Sequence, residues 1–252
     1  QKRNSMIYLE YLNNLIKNEV IKAKHPVLFG QNINAGSCLS GLTRGMKVQN
    51  GGKIINSTNT ENSLVGLGFG LMLGGAQAGF FMKQMDFLLL GIDQLANTYN
   101  ILRNIKDLPP NGSFTIMAVI VDSGYEGPQS SLNNFADFCS IARIPGFTIT
   151  NKADADYLLS HHLMQPGFRI LGVSQRLFKT EIIDPGTPLQ IAENGTIFQY
   201  SEGDKATLVS FNLSFPQAQK LNQTLLSQEI KTSHFNVNSA IGDIDWSIIK
   251  KN

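Results

Sequence analysis

The stretch TENSLVGLGFGLMLGG (residues 60–75) decides the fold, because it sets one acid, Glu61, at the start of an otherwise uncharged and glycine-dotted helix. A second stretch, FMKQMDFLLLGIDQ (residues 81–94), places an aromatic residue, Phe87, directly after an acid in another apolar segment. Glycines inside a helix cost stability, so we expect them where the backbone packs closely against a neighbouring element. The two stretches predict a buried helix with Glu61 in its first turn and a second apolar helix beside it.

Outward from these stretches, apolar segments rich in β-formers alternate with helical segments along the first 180 residues. A stripe of Leu9, Leu12, Ile16 and Val20 predicts the first helix. Further helices are predicted over residues 61–76, 86–104 and 153–164, with one more ending near residue 140. Strands are predicted over residues 27–29, 53–56, 79–82, 114–121, 147–150 and 168–173. This alternation predicts an α/β fold with a parallel sheet covered by helices on both faces.

The alternation of strands and helices ends near Asp184-Pro185-Gly186. Two short strands follow, at residues 196–200 and 206–211, and Glu202-Gly203-Asp204 between them predicts a hairpin-like turn. A helix (217–228) and a strand (235–237) then complete one β-α-β unit. We therefore predict a first domain over residues 1–180, followed by a linker and the start of a smaller α/β domain over residues 181–252.

The bulk composition excludes several classes of function. Only 16% of the residues are charged, below the roughly 25% of an average soluble domain, which favours a subunit within an oligomer over an Asn- and Ser-rich monomer. A net charge of +2 gives no electrostatic reason to bind nucleic acid or an anionic membrane. Two cysteines favour a reducing compartment, the cytoplasm or an organelle matrix, and no apolar run is long enough to span a bilayer.

Common nucleotide and metal motifs are missing from the sequence. A dinucleotide fingerprint starting at Gly66 would need a third glycine where Leu71 stands. No Walker-type phosphate loop or Gly-x-Ser-x-Gly elbow occurs either. Without His-x-x-x-His or Cys-x-x-Cys spacing, we expect no metal site built by this chain alone.

Taken together, residues 60–75 and 81–94 resemble the pyrimidine-binding domain of the transketolase superfamily. The likeness is greatest to the β subunit of the thiamine-diphosphate-dependent first component of the 2-oxoacid dehydrogenases. It implies a thiamine-diphosphate-binding fold, with the second domain incomplete at Asn252. In that family a glutamate hydrogen-bonds the aminopyrimidine of the cofactor, and an aromatic side chain packs on the ring. The resemblance implies these roles for Glu61, as the catalytic acid, and Phe87, with Phe81 and Gln84 as further cofactor contacts.

The residues themselves allow a simpler interpretation of both positions. Thr58-Asn59-Thr60-Glu61 also has the spacing of a capping box, in which the acid only closes the start of a helix. Spacing alone favours the cap, whereas the resemblance favours the ligand role, and the two are compatible. Phe87 lies in an apolar run, so that packing in the core is its alternative role.

One loop departs from the family pattern. Gly127-Pro128-Gln129-Ser130-Ser131 resembles a family loop near the substrate that reads Gly-x-Gln-His-Ser. The resemblance implies that Gln129 and Ser130 face the substrate, with Ser130 in the place of a proton-transferring histidine. A hydroxyl group does not exchange protons near neutral pH as imidazole does, so the substrate or the activity itself is expected to differ.

The diphosphate end of the cofactor has no counterpart in this chain. Family members that hold it through Mg²⁺ carry a Gly-Asp-Gly motif followed by Asn, and no such motif occurs here. The resemblance thus implies an α-type partner subunit, a heterotetramer, and cleavage of a bond next to a carbonyl. The donor would be a 2-oxoacid, decarboxylated or oxidised, or a ketose in ketol transfer. A catalytically degenerate subunit with a scaffolding or regulatory role is the alternative.

Overall fold

The computed structural model describes residues 6–49, 51–105, 111–124, 127, 132–242 and 244–250. Six strands form one sheet: β1 (Pro26–Gly30), β2 (Lys53–Asn56), β3 (Gln77–Met82), β4 (Ser113–Ile120), β5 (Gly146–Ile149) and β6 (Gly167–Ser174). Their order is β2-β1-β3-β4-β6-β5, and every neighbouring pair is parallel. Every residue of β4 is buried, as expected of a central strand covered on both faces. The predicted α/β fold is confirmed.

Helices cover both faces of this sheet: α1 (Tyr8–Val20), α2 (Glu61–Leu73), α3 (Tyr99–Leu102), α4 (Phe135–Ala142) and α5 (Lys152–His162). The side chains of α1 and α5 share one hydrophobic cluster, and those of α2 and α4 share a second one. Successive residues of β1, Leu28 and Phe29, belong to opposite clusters, which places the clusters on the two faces. No helix in the described part of the chain is long and apolar enough to cross a membrane.

The glycines of α2 lie where neighbouring elements come closest. A Cβ atom at Gly68 would stand 2.2 Å from the ring of Phe114 on β4, and one at Gly66 would stand 3.3 Å from the Gln94 side-chain oxygen. By contrast, a Cβ at Gly70 would meet no atom within 4 Å. The expectation of close packing is confirmed at Gly68 and Gly66, whereas Gly70 lies on the exposed face of the helix.

The single α-helix predicted over residues 86–104 is wrong. The chain instead forms a 3-10 helix (Met85–Gly91), then a π-helical segment (Gln94–Thr98) that leads into α3. In this segment, polar side chains form hydrogen bonds to groups one helical turn earlier; for example, the Asn100 side chain donates to the Ala96 carbonyl. Such bonds compete with the helical ladder and bend it, which a hydrophobic period does not reveal.

A second sheet has four strands: β7 (Gln190–Ile191), β8 (Ile197–Ser201), β9 (Ala206–Phe211) and β10 (Thr232–Val237). Helix α6 (Phe215–Ser227) connects β9 to β10, and α7 (Ser247–Lys250) follows. β9 and β10 pair in parallel, so the predicted β-α-β unit is confirmed. The two sheets divide between Ser174 and Gln190, and the domain boundary at residues 180 and 181 stays a prediction.

The predicted hairpin between β8 and β9 is wrong, because β10 lies between these strands in the order β7-β8-β10-β9. The connection crosses the start of β10, where a Cβ at Gly203 would stand only 2.4 Å from the Thr232 nitrogen. The Ser233 hydroxyl accepts a hydrogen bond from the Gly203 N–H at 3.1 Å and donates to its carbonyl at 3.0 Å. The connection can pass this close to β10 because Gly203 has no side chain.

A buried polar cluster joins the two sheets around Asp154, which is fully buried in the first turn of α5. Its N–H donates to the Asn151 side chain at 2.9 Å. From the second sheet, the Tyr200 hydroxyl donates to one carboxylate oxygen and Asn236 donates to the other at 3.3 Å. Burial raises the pKa of Asp154 to about 6, although the hydrogen bonds from its neighbours lower it.

We predict opposite effects of alanine at two glycines of α2. Gly68→Ala should lower the free energy of unfolding by about 1–3 kcal/mol, because its methyl group meets the Phe114 ring. Gly70→Ala should raise it by up to about 1 kcal/mol, because alanine favours the helix and the position is open. Urea unfolding at one fixed protein concentration measures both changes. Equal losses in the two variants would contradict the packing described for α2.

We also predict how acid affects stability. Lowering the pH from 6 towards 4 protonates Asp154 in the folded state and stabilises the fold. Burial lowers the pKa of His162 and His234 to about 4, so each contributes stability at neutral pH that is lost between pH 6.5 and 4. Asp154→Asn removes the stabilising contribution of Asp154. Between pH 7 and 4, the free energy of unfolding of this variant should therefore fall by up to about 3 kcal/mol more than that of the parent chain.

Urea unfolding at several pH values measures this difference. Asp204→Asn, at an exposed position, is the control and should follow the parent chain. Parallel stability profiles for the parent and Asp154→Asn would show that the buried carboxyl does not titrate as described.

Candidate functional site

The predicted cofactor residues meet at the carboxyl edge of the six-stranded sheet. Glu61 opens α2 shortly after β2, Phe81 lies near the end of β3, and Gln84 and Phe87 follow β3. All four line one cleft. The other lining residues are Gln31, Thr58, Asn59, Leu64, Phe80, Met82 and Lys83. This is the edge at which open α/β sheets bind their ligands.

Glu61 is the first residue of α2 and is only 7% exposed. The N-cap is Thr60, and no side chain caps the helix. A capping box would need Thr58 as the N-cap, so this alternative for Glu61 is wrong. Within the described residues, the Glu61 carboxylate has no hydrogen bond or ion pair. A largely buried acid whose carboxylate neither caps its helix nor pairs with a cation is unusual, and this carboxylate is free to bond to a ligand.

The other three predicted residues differ in the solvent exposure of their side chains. Phe87 is half-buried in the 3-10 helix and packs partly on the cluster under α2, so part of its ring remains accessible. Gln84 is also half-buried. Phe81 is 1% exposed and belongs to the cluster under α1 and α5, so its ring serves the core. Glu61 and Phe87 are therefore the pair best placed to meet a ligand.

Asp86 is a further acid of this segment, to which the sequence analysis gave no role. It is 4% exposed, and neither carboxylate oxygen has a full hydrogen bond in the described structure. Burial raises the pKa of Asp86, while the backbone N–H of Leu132 lowers it partly. An acid inside the apolar run MDFLLL (residues 85–90) was the sequence signal for this burial.

The cleft is shallow. Its free volume is about 10 Å³, roughly the space of one water molecule. The described residues therefore form one wall of a site and do not enclose a whole ligand.

Two expectations concern parts outside this cleft. Gln129 and Ser130, predicted to face the substrate, lie outside the described residues, and their role stays a prediction. Among the residues that the structure does describe, no group of three His, Cys, Asp or Glu side chains is placed to hold a metal ion.

Comparison with solved structures shows which fold the chain has. A split-gene transketolase, an inactive β4 tetramer, superposes with a TM-score of 0.64 at 14% identity, over 96% of this chain and 74% of the other. An arginine-to-leucine mutant of transketolase from Pichia stipitis gives 0.70 at 11% identity, over 98% and 37%. The chain has a transketolase-type fold. A transketolase of the same organism with sedoheptulose-7-phosphate gives 0.68 at 11% identity, over 94% and 35%.

These likenesses show the transketolase-type fold alone, because sequence identity is low throughout. No protein-family model and no curated protein matches the chain. The chain spans about three quarters of the split-gene protein and about one third of the Pichia enzyme. The cleft of Glu61 and Phe87 thus lies within a fold that the solved transketolases share.

We predict that removing the Glu61 charge leaves stability almost unchanged. Glu61→Gln and Thr58→Ala should each change the free energy of unfolding by less than about 0.5 kcal/mol, because neither side chain caps α2. Loss of a true helix cap would cost about 1 kcal/mol. Thermal and urea unfolding of both variants provide the measurement. A loss of that size in both variants would show that Thr58 and Glu61 do cap α2.

Proposed function

We propose that this chain is the pyrimidine-binding, β-type subunit of a heteromeric thiamine-diphosphate-dependent enzyme. The enzyme would cleave a bond next to a carbonyl group, as in 2-oxoacid decarboxylation and dehydrogenation or in ketol transfer. The observation that carries the proposal is the largely buried Glu61, whose carboxylate has no partner in the described structure, on the same cleft as the accessible ring of Phe87. The transketolase-type fold supports it.

Each residue has a defined task in this proposal. Thiamine diphosphate, when bound, supplies the nucleophilic carbon that attacks the substrate carbonyl. Glu61 hydrogen-bonds a ring nitrogen of the pyrimidine and holds a proton at its carboxyl oxygen. Phe87 packs on the ring, which contributes about 0.5–1.5 kcal/mol beyond the area buried. Gln84 is placed to accept or donate a hydrogen bond at the rim of the cleft.

The partner subunit would supply what this chain lacks. A shallow cleft leaves the far face of the pyrimidine open, and the sequence has no Gly-Asp-Gly motif for Mg²⁺ and the diphosphate. An α-type chain with that motif would complete the site at the interface. Thiamine diphosphate and Mg²⁺ would then be held between the two subunits.

Helix α2 supports an assembly of several subunits. Its exposed face has no charged side chain and consists of Asn62, Ser63, Leu67, Gly70, Leu73 and Gly74. A solvent-facing helix normally carries charged residues on that side. The similar split-gene transketolase is a tetramer. We propose that α2 packs against another subunit in a heterotetramer.

A second function is kept because of two observations. Ser130 stands where the family resemblance has a proton-transferring histidine, and the similar split-gene tetramer is itself inactive. A catalytically degenerate subunit that scaffolds or regulates an assembly would fit both. The unpaired Glu61 favours catalysis, since a scaffold gains nothing from a buried carboxylate.

The deciding experiment is calorimetry with thiamine diphosphate and Mg²⁺. The titrated samples are this chain alone, the chain mixed with a Gly-Asp-Gly partner, and that mixture with Glu61→Gln or with the control Glu202→Gln. Glu202 is an exposed acid of the second sheet, so its variant makes the same change far from the cleft. We expect binding in the mixture and turnover of a 2-oxoacid or ketose, with turnover reduced at least 100-fold by Glu61→Gln alone.

Two results would contradict the proposal. Absence of cofactor binding in a mixture that assembles by light scattering would leave the scaffold function. Full turnover with Glu61→Gln would show that another group activates the cofactor. The same light-scattering experiment tests the assembly, since a chain that stays monomeric with and without partner would contradict the role of α2.

A further inference from the structure

A cavity of about 830 Å³ lies between the amino edge of the six-stranded sheet and the segments that precede β8 and follow β10, away from the cleft of Glu61. Its walls include the turn after α4, the end of α5, and the starts of β5 and β6, with Asn194 and Ile241 from the second unit. Strands β5 and β6 begin here, so the cavity is at the amino edge of the sheet, whereas Glu61 is at the carboxyl edge. Its volume is within the range of small-molecule sites.

Arg169 is the first charged group of this cavity. One terminal nitrogen of its guanidinium donates to the carbonyls of His162 and Gln165, each at 2.7 Å, and the other donates to the Pro166 carbonyl. A guanidinium has five N–H groups, so two remain without a partner in the described structure. The three carbonyls hold the side chain in place without neutralising its charge. Arg169 is therefore a fixed cation with donors to spare.

Arg143 is the second charged group. It follows α4 in a left-handed conformation, with φ at +53°, which is rare for residues other than glycine, asparagine and aspartate. Its side chain is exposed, and among the described residues it has no ion pair and no hydrogen bond. No acid is present among the described residues that line the cavity. Two unpaired arginines on one cavity favour an anionic ligand.

Much of the remaining wall is apolar. Ile144, Phe147, Phe168 and Ile241 supply apolar surface. His162 stacks on Phe147 with ring centroids 4.1 Å apart, and its Nε2 is 2.7 Å from the Asn194 carbonyl oxygen, so Nε2 carries the proton that is donated. Burial lowers the pKa of His162 to about 4, so the ring is neutral at pH 7. His162 therefore adds no charge to that of the two arginines.

We infer that this cavity binds a small organic phosphate ester, with its phosphate between Arg143 and Arg169 and its organic part against the apolar wall. A planar guanidinium matches phosphate oxygens in pairs, which an isolated lysine ammonium does not. Because the walls come from the first sheet with its helices and from segments next to β8 and β10, the ligand would contact both parts of the chain. The site is separate from the proposed cofactor site and does not depend on it.

Phenyl phosphate, inorganic phosphate and phenol are suitable probes for calorimetry on the whole chain. We expect phenyl phosphate to bind, inorganic phosphate to bind more weakly, and phenol not to bind. Arg143→Gln should weaken phenyl phosphate binding at least tenfold without disturbing the fold, since the Arg143 side chain has no hydrogen bond or ion pair among the described residues. Arg103→Gln makes the same change at an exposed position outside the cavity and should have no effect.

Two further variants make the result decisive. Ser140→Trp introduces a bulky side chain at an exposed helical position that lines the cavity, and it should abolish binding while the chain remains folded by circular dichroism. Glu61→Gln should leave phenyl phosphate binding unchanged, which separates this site from the proposed function. Absence of phenyl phosphate binding at millimolar concentration, equal binding of phenol, or unchanged affinity in Arg143→Gln would each overturn the inference.

Discussion

The contact between the α2 backbone at Gly68 and the ring of Phe114 fixes the position of the helix on the sheet. Because a Cβ atom there would come within 2.2 Å of the ring, only glycine allows this distance. The neighbouring Phe69 then packs edge-on against Phe114 and Phe168, with centroids 5.1 and 4.8 Å apart. Once α2 is held in this way, its first residue, Glu61, reaches the carboxyl edge next to the end of β3.

Most strands of the first sheet could be predicted from the sequence because burial between two layers of helices requires apolar residues. A strand buried on both faces is largely apolar, and β4, which is buried at every position, was predicted within one residue of each of its ends. Strand order in the second sheet could not be obtained in this way. The insertion of β10 between β8 and β9 is a long-range pairing, and the local turn at Gly203 suggested the simpler hairpin.

The residues of the candidate site could be predicted from the sequence, but the burial of each side chain could not. The resemblance identified Glu61, Phe81, Gln84 and Phe87, and the structure places all four on one cleft. Phe80 and Phe81 are both buried, in the clusters on opposite faces of the sheet, and a single sequence does not show that both faces are covered at this point, so the burial of the Phe81 ring could not be foreseen. The hydrogen bonds of the helical segment after Gly91 were likewise hidden, because they involve side chains and not the hydrophobic period.

The exposed face of α2 has a consequence for how the protein must be made. A helix surface without charge, with Leu67 and Leu73 open to water, favours association and precipitation when nothing covers it. In the proposed heteromeric assembly a partner subunit covers this face, and the chain would be most soluble when that partner is synthesised with it in similar amounts. An excess of either subunit of that assembly would aggregate or be degraded, so the ratio of the two polypeptides would be a property that natural selection can act on.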